Sequence, residues 1–574
     1  MNSSTWRFLR REISRALVCL LVFVPLTSAQ EPNPTNAPQP SRAPSKATGT
    51  KGMVVSGRAV ASEAGTKMLA AGGNAADAGA ATLLALSVLT VGAFCIGGEV
   101  PILYYSADKK NVKVLGGQGG APLDPKAIEW YMQNRIPGGG VARATPVPSA
   151  LDAIVTLLEM YGTKAFAEVV EPTLKILDAG GPSWYIDTGN RQRIETGVNW
   201  YADLAVTFRK LVEAEERAKG NRAQKLRAVS DRFYRGDIAD ALEQWYIEKG
   251  SFLRKRDLAA HKTRVEDPVM AAYRGYSVYK VGPWTQGPFV LETLRILEGY
   301  DLKKIGFGSA DYIHLVTEAM KLGLADRDEF YGDPEFVKVP MPALLSEEYT
   351  RLRRPLIDMK KASLEVRPGD PLKLKALREP LPVFPTQGGT TNMCVVDRWG
   401  NVIAATPSGL SSTAGAAGRT GVIHGSRLTS LNTFKGHPNV IEPGKRPRVT
   451  LTPTMMLKDG KPVAAIAVAG GDLQDQAAVQ LILEMVDFRM SPEEAFSAPR
   501  FSTAHHTSSF GQSKPKFGSL SVNVRVSEPV QADLKSRGHV LTVGQGNVGG
   551  VALIGIEAGS NVAHGIGSGV SAVQ

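Results

Sequence analysis

Cysteine is nearly missing from this chain, with three in 574 residues: Cys19, Cys95 and Cys394. A disulfide framework is therefore not what holds the fold together. Cys19 falls in an apolar leader, and the other two lie in apolar surroundings and read as buried, unpaired thiols. Histidine is also sparse, at eight, and never takes the spacing of a metal site; His505-His506, in a polar stretch, reads as a surface pair. No block of one charge sign stands out. The net charge is +12, but the basic residues are spread, and Arg7, Arg10, Arg11 and Arg15 lie in the leader, so nucleic acid is not indicated as a partner. Gly-rich stretches such as 546–550 lack the lysine and strand-turn-helix setting of a phosphate loop.

What is present begins with an export signal. Arginines, an apolar run over 16–26 and the small residues Thr27-Ser28-Ala29 predict a signal peptide over residues 1–29. The expected location is periplasmic or secreted, with no membrane association once the signal is removed. Residues 30–51, rich in Pro, Ser, Thr and Ala, read as a disordered linker. A second apolar run, 78–98, follows Gly72-Gly73-Asn74-Ala75-Ala76-Asp77 and is full of small residues. It predicts a helix buried in a large core rather than a membrane span.

Apolar residues recur at helical spacing over 61–71, 289–297 and 311–330, while 273–281 alternates like a strand. Residues 203–256 are dense in charge and read as exposed helices. After Gly388 the pattern changes to two hairpins, 391–406 and 452–468, followed by an amphipathic helix over 474–485, which together predict an α+β layered fold. The Pro- and charge-rich stretch 367–387 reads as an exposed, mobile loop.

That loop leads into Gly388-Gly389-Thr390-Thr391-Asn392. Cleavage before Thr390 would free an α-amine beside its own hydroxyl, the pairing a threonine hydrolase needs. Strand propensity alone explains a threonine pair at this place more readily.

The wider pattern changes that balance. Gly52-Met53-Val54-Val55, Ala61-Ser62-Glu63-Ala64-Gly65, Gly72-Gly73-Asn74-Ala75, Ile96-Gly97-Gly98, Leu297-Glu298-Gly299-Tyr300-Asp301-Leu302, Asp311-Tyr312-Ile313-His314, Ala325-Asp326-Arg327-Asp328 and Ala498-Pro499-Arg500-Phe501 occur in one order from residue 52 onward. Together they resemble the γ-glutamyltranspeptidase (glutathione hydrolase) family. The resemblance implies an N-terminal-nucleophile hydrolase, a four-layer αββα sandwich formed by large and small subunits of one self-cleaved precursor. Here these would be residues 52–389 and 390–574. It also implies processing at Gly389–Thr390, Thr390 as nucleophile, Ser408 as its assisting hydroxyl, and Gly470-Gly471 as the backbone oxyanion donors. The implied partners are a small-molecule amide and an acceptor water or amine, and no cofactor is implied.

The implied substrate clamp departs from the family. Gln118, in Gly116-Gly117-Gln118-Gly119-Gly120-Ala121-Pro122, replaces the arginine that holds the donor's α-carboxylate. The stretch expected to carry acidic residues for the α-amino group reads Gly425-Ser426-Arg427-Leu428-Thr429-Ser430-Leu431. Thr450 keeps one hydroxyl of a serine pair, and Leu410 replaces an asparagine. Breaking one buried charge pair costs about 3–5 kcal/mol, so a zwitterionic γ-glutamyl head is poorly served. The expected activity is cleavage of γ-glutamyl or related amides through a threonine ester. An acylase for a glutaryl-like group, received by Arg427, Arg419 or Arg448, and a silent binding homologue are the alternatives. The substrate-binding expectation rests on Gln118, Arg427, Ser430 and Thr450.

Overall fold

The computed structural model describes residues 44–180, 199–376, 389–409, 414–510, 514–544 and 549–574. The expected signal peptide and most of the expected linker lie outside the described residues.

Two antiparallel seven-stranded sheets form the centre. The first runs Ser45–Gly49, Ala563–Gly567, Val551–Ile556, Lys461–Val468, Thr454–Lys458, Tyr276–Lys280, Val269–Tyr273. The second runs Gly569–Val573, Gly52–Ser56, Met393–Asp397, Val402–Ala405, Val100–Ser106, Asn111–Gly117, Arg264–Glu266. Side-chain alternation along each strand divides the core into layers. Met53, Val55, Cys394 and Val396 point into the space between the sheets, where they meet Met455, Ala465, Ala467, Ala552 and Ile554. Val54, Met393, Val395 and Ile403 face the other way, toward helices Ala59–Ala70, Ala75–Leu89 and Ala150–Tyr161. The outer face of the first sheet packs Met456, Ile466 and Leu553 against helices Pro288–Leu297, Ala310–Phe330 and Gln474–Val486. The order of layers is helices, sheet, sheet, helices, as expected.

Helix Ala75–Leu89 is buried along its whole length. The Asn74 side chain accepts from the Ala76 and Asp77 N–H groups and Asp77 answers with a bond to the Asn74 N–H, so the buried helix end keeps its donors satisfied. Small residues let it lie close on the sheet: a Cβ on Gly79 would stand 2.7 Å from Ile403 Cδ1. Among the described residues no helix is long and apolar enough to cross a membrane. Cys95 and Cys394 are buried and unpaired, and burial pushes both thiols above their ordinary range.

Four expectations need correction. The end of the expected linker is ordered, because Ser45–Gly49 pairs with Ala563–Gly567; Ser and Thr composition says nothing of an edge strand completed by a partner more than 500 residues away. The charged region 203–256 forms helices with apolar faces in the core, among them Leu204, Phe208, Phe233 and Tyr246. Helix Gln474–Val486 is buried through most of its polar positions too, with Gln476 and Gln480 bonded to the Thr503 and Phe501 backbone. Within 367–387, Arg367 bonds Glu318 and Gly369–Asp370 pairs with Lys375–Ala376; residues 377–388 lie outside the described residues.

Candidate active site

The two sequence hairpins fall in different sheets, and the first presents the candidate site. Strand Met393–Asp397 is held between Gly52–Ser56 and Val402–Ala405, and the residues before it are fixed from several directions. The Thr391 N–H donates to Pro407 O at 3.1 Å, the Gly57 N–H to Asn392 O at 3.1 Å, and Asn392 Nδ2 to Gly550 O at 2.7 Å. Gly389 and Thr390 emerge from this clamp half-buried.

The hairpin returns the chain so that Ser408 lies alongside Gly389. Ser408 is fully buried, and its backbone is tied to Glu99 by a reciprocal pair of bonds at 2.8 Å. Its Oγ donates to the Gly389 carbonyl oxygen at 2.7 Å. Arg427 Nη2 donates to the same Oγ at 2.6 Å, and Arg427 Nε donates to Glu99 Oε1 at 2.6 Å. Arg427 and Glu99 are both buried. Desolvation pushes the Glu99 carboxyl up from its ordinary range, against the pull of Arg427 and a hydrogen bond from Ser408. Thus the carbonyl at the expected cut, a hydroxyl, a guanidinium and a carboxylate form one continuous arrangement.

Gly470 and Gly471 have φ of 141° and 63°, a backbone region that favours glycine. Their turn is linked to the Thr390 clamp through Gly550, whose carbonyl accepts from both Asn392 Nδ2 and the Ala469 N–H. Phe510 connects the turn to the arginine: its ring abuts Gly471 and its centroid lies 5.8 Å from Arg427 Cζ. The Gln474 amide is assigned the orientation that satisfies both its ends, donating to Val468 O at 2.7 Å and accepting from the Gly471 N–H at 3.1 Å. In that orientation the Gly471 N–H is occupied. Asp472 anchors the turn, accepting from Arg327 at 2.8 Å and from Ser509 Oγ at 2.6 Å. Arg327 holds the Asp472 carboxyl well below the usual range despite burial.

The other expected residues distribute unevenly. Ser430 shares the short helix Arg427–Ser430, and its buried Oγ has no partner among the described residues; the same holds for Arg427 Nη1. Thr450 is buried beside Gln474. Gln118 is buried, donates to Gly119 O at 3.0 Å, and lines a cavity of about 530 Å³ with Asp257, His261 and Arg446. Neither Thr390, Ser408 nor Arg427 lines that cavity. Leu410 lies outside the described residues. Arg448 is buried against Asp328 and Arg327 O, and Arg419 is exposed beside Asp203, so of the three arginines it is Arg427 that reaches Ser408.

The expected surface pair His505-His506 is buried instead. His506 faces Arg327 at 3.2 Å, and His505 accepts from the Gly518 N–H at 3.0 Å, with burial pushing its pKa down to about 3. Polar neighbours in sequence concealed contacts made with other elements. Among the described residues, His314, Glu318 and His539 have the proximity of metal ligands. Their chemistry argues otherwise: the two rings bond each other at 2.8 Å, and Glu318 is taken by Lys321 at 2.6 Å and Arg367 at 3.1 Å. Sequence reasoning missed Glu99 and Phe510. Glu99 directly follows Ile96-Gly97-Gly98, but its partner is 328 residues away.

The family profile described as Gamma-glutamyltranspeptidase matches residues 61–568. The chain is 30% identical over 508 residues to the glutathione hydrolase-like YwrD proenzyme of Bacillus subtilis (strain 168), covering 86% of this chain and 92% of that one. It is also 30% identical over 522 residues to the acylase ACY 1 proenzyme of Pseudomonas sp. (strain SE83), covering 86% and 88%. The solved structure of a cephalosporin acylase from Bacillus halodurans superposes with a TM-score of 0.76 at 27% identity, covering 94% of this chain and 99% of that one.

Proposed function

Since the chain belongs to the γ-glutamyltranspeptidase family, with the fold of the N-terminal-nucleophile hydrolases, we propose that it cuts itself at Gly389–Thr390 and then cleaves amides through an ester on Thr390. The observation that carries this reading is the 2.7 Å hydrogen bond from Ser408 Oγ to the Gly389 carbonyl. A donor placed on that oxygen stabilises the negative charge that develops when the carbonyl carbon is attacked.

The proposed chemistry runs in two stages. In the precursor, Thr390 Oγ forms a bond to the Gly389 carbonyl carbon, the Gly389–Thr390 C–N bond breaks, and the hydroxyl proton passes to the departing nitrogen. Water hydrolyses the resulting ester, leaving a carboxylate on Gly389 and restoring the Thr390 hydroxyl. The large subunit then ends at Gly389 and the small subunit begins at Thr390. In the second stage the new α-amine, a group that ordinarily titrates at about 7.7–8.0, takes the Thr390 proton as Oγ attacks a substrate amide. That proton goes to the leaving amine. Water or an acceptor amine resolves the ester. Gly470 and Gly471 serve this stage as oxyanion donors if Gln474 yields the Gly471 N–H.

The acyl group proposed is one without an α-ammonium. Arg427 occupies the turn where the family's acidic residues would stand, and the nearby Glu99 is already paired with it. Gln118 supplies no positive charge for an α-carboxylate. Arg427 Nη1 and Ser430 Oγ are buried donors without partners among the described residues, suited to a neutral carbonyl or a terminal carboxylate on the acyl chain. γ-Glutamyl compounds are the second reading, favoured by the relatives named glutathione hydrolases. Export through a leader over 1–29 belongs to the same proposal.

Trapping the ester tests the chemistry: acyl anilides are quenched in acid and the digest is analysed by mass. Added acyl mass on the peptide beginning at Thr390 supports the reading, and turnover that never labels that peptide contradicts it.

A further inference from the structure

Resting on the self-cleavage reading, we infer that Glu99 and Arg427 are positioning residues that aim the Ser408 hydroxyl at the bond to be cut. A serine hydroxyl has one hydrogen and two lone pairs, so its usefulness as a donor depends on what its neighbours leave it to do. Arg427 has no acceptor capacity. By donating to Ser408 Oγ at 2.6 Å, it takes a lone pair and leaves the hydrogen to point elsewhere.

Among the described residues, two acceptors compete for that hydrogen. One is Gly389 O, at 2.7 Å. The other is the Glu99 carboxylate, whose pKa the neighbouring Ser408 side chain lowers. Arg427 biases this competition by donating Nε to Glu99 Oε1 at 2.6 Å, which satisfies part of the carboxylate's demand and favours donation to Gly389. The fork of the guanidinium makes both contacts at once. Burial keeps the arrangement free of competing solvent: Glu99 is 1% exposed and Arg427 and Ser408 are 0%. Glu99 fixes the guanidinium, the guanidinium fixes the hydroxyl, and the hydroxyl meets the scissile carbonyl.

The test is the first-order rate of precursor cleavage, followed by gel and mass in four variants beside wild type. Glu99→Leu/Arg427→Met removes both charges together, so no lone buried ion remains. It should cleave at least tenfold more slowly while melting cooperatively near the wild-type temperature. The same double change placed on Ser408→Ala should produce no further slowing, because the hydroxyl it positions is gone. Arg427→Lys keeps a cation against Glu99 but lacks the fork, and should cleave several-fold more slowly; it carries the test if the double variant fails to fold. A folded double variant or Arg427→Lys cleaving at the wild-type rate overturns the inference. So does a slowing that persists undiminished in the Ser408→Ala background. An uncut wild-type chain would instead overturn the functional reading, and this inference with it.

Discussion

Ser408 and Gly389 are 19 residues apart in sequence, yet the serine hydroxyl donates to the glycine carbonyl at 2.7 Å. The contact follows from the hairpin, because Met393 pairs with Ala405 and the next residues on each side run on together. Losing one oxyanion donor typically costs 10²–10³ in rate, about 3–4 kcal/mol. Ser408→Ala should therefore slow precursor cleavage by about 10²-fold, whereas Ser408→Thr, which keeps the hydroxyl, should stay within about tenfold of wild type. A time course of fragment formation distinguishes the two.

The turn at Gly470-Gly471 should be intolerant of side chains for two separate reasons. A Cβ on Gly471 would stand 2.9 Å from Phe510 Cε2, and its φ of 63° belongs to the left-handed region. The backbone cost alone is about 1–2 kcal/mol. Gly471→Ala should lower the melting temperature by several degrees and displace Phe510 from its place beside Arg427. Thermal melts and acyl-anilide turnover check both effects; an unchanged melt would show that the ring gives way freely.

Much of this arrangement was legible in the sequence, and the reason it was differs from part to part. The buried helix and the hairpins could be read locally, since apolar spacing and turn residues are local signals, although the helix is Ala75–Leu89 and the rest of the apolar run, 90–98, leaves it for turns. Thr390 and Ser408 stand out as candidates only through resemblance, as a threonine pair opening a strand is ambiguous by itself. Burial of charged and polar residues is not legible locally. Arg427, Arg448 and His506 are hidden because Glu99, Asp328 and Arg327 respectively meet them from distant parts of the chain, and no sequence window contains both partners. Ser45–Gly49 was missed for the same reason, its partner strand being near the opposite end.

Acid should destabilise the fold before it reaches ordinary carboxylates. Burial pushes the pKa values of His261, His424 and His437 down to about 4, against about 6.5 in an unfolded chain. In His424 the Nδ1–H donates to Val422 O at 3.1 Å, while Nε2 accepts from the Tyr246 hydroxyl at 2.7 Å, so the neutral ring is the one that fits. A depressed folded pKa means stability that is present above pH 6.5 and lost as pH falls toward 4, up to about 3 kcal/mol for each ring. Melting temperature should drop steeply across that window. His424→Gln should flatten the slope, and an unaltered slope would exclude His424 as a contributor.

Substrate choice should follow the rebuilt pocket. Glutaryl and uncharged acyl anilides should be hydrolysed with kcat/KM at least tenfold above the γ-glutamyl anilide, because Glu99, the carboxylate beside Arg427, is already paired with it. Arg427→Lys should narrow that ratio less than it lowers the common rate. A γ-glutamyl preference in wild type would show that Gln118, Arg427 and Ser430 do not set acyl specificity as described.

Intact mass with N-terminal sequencing of the purified chain tests the cut at Gly389–Thr390. Two associated fragments are expected, one ending at Gly389 and one beginning Thr390-Thr391-Asn392, with Thr390→Ala remaining a single folded chain. A wild-type protein that stays whole, or one cut at another bond and still cut in Thr390→Ala, would contradict it.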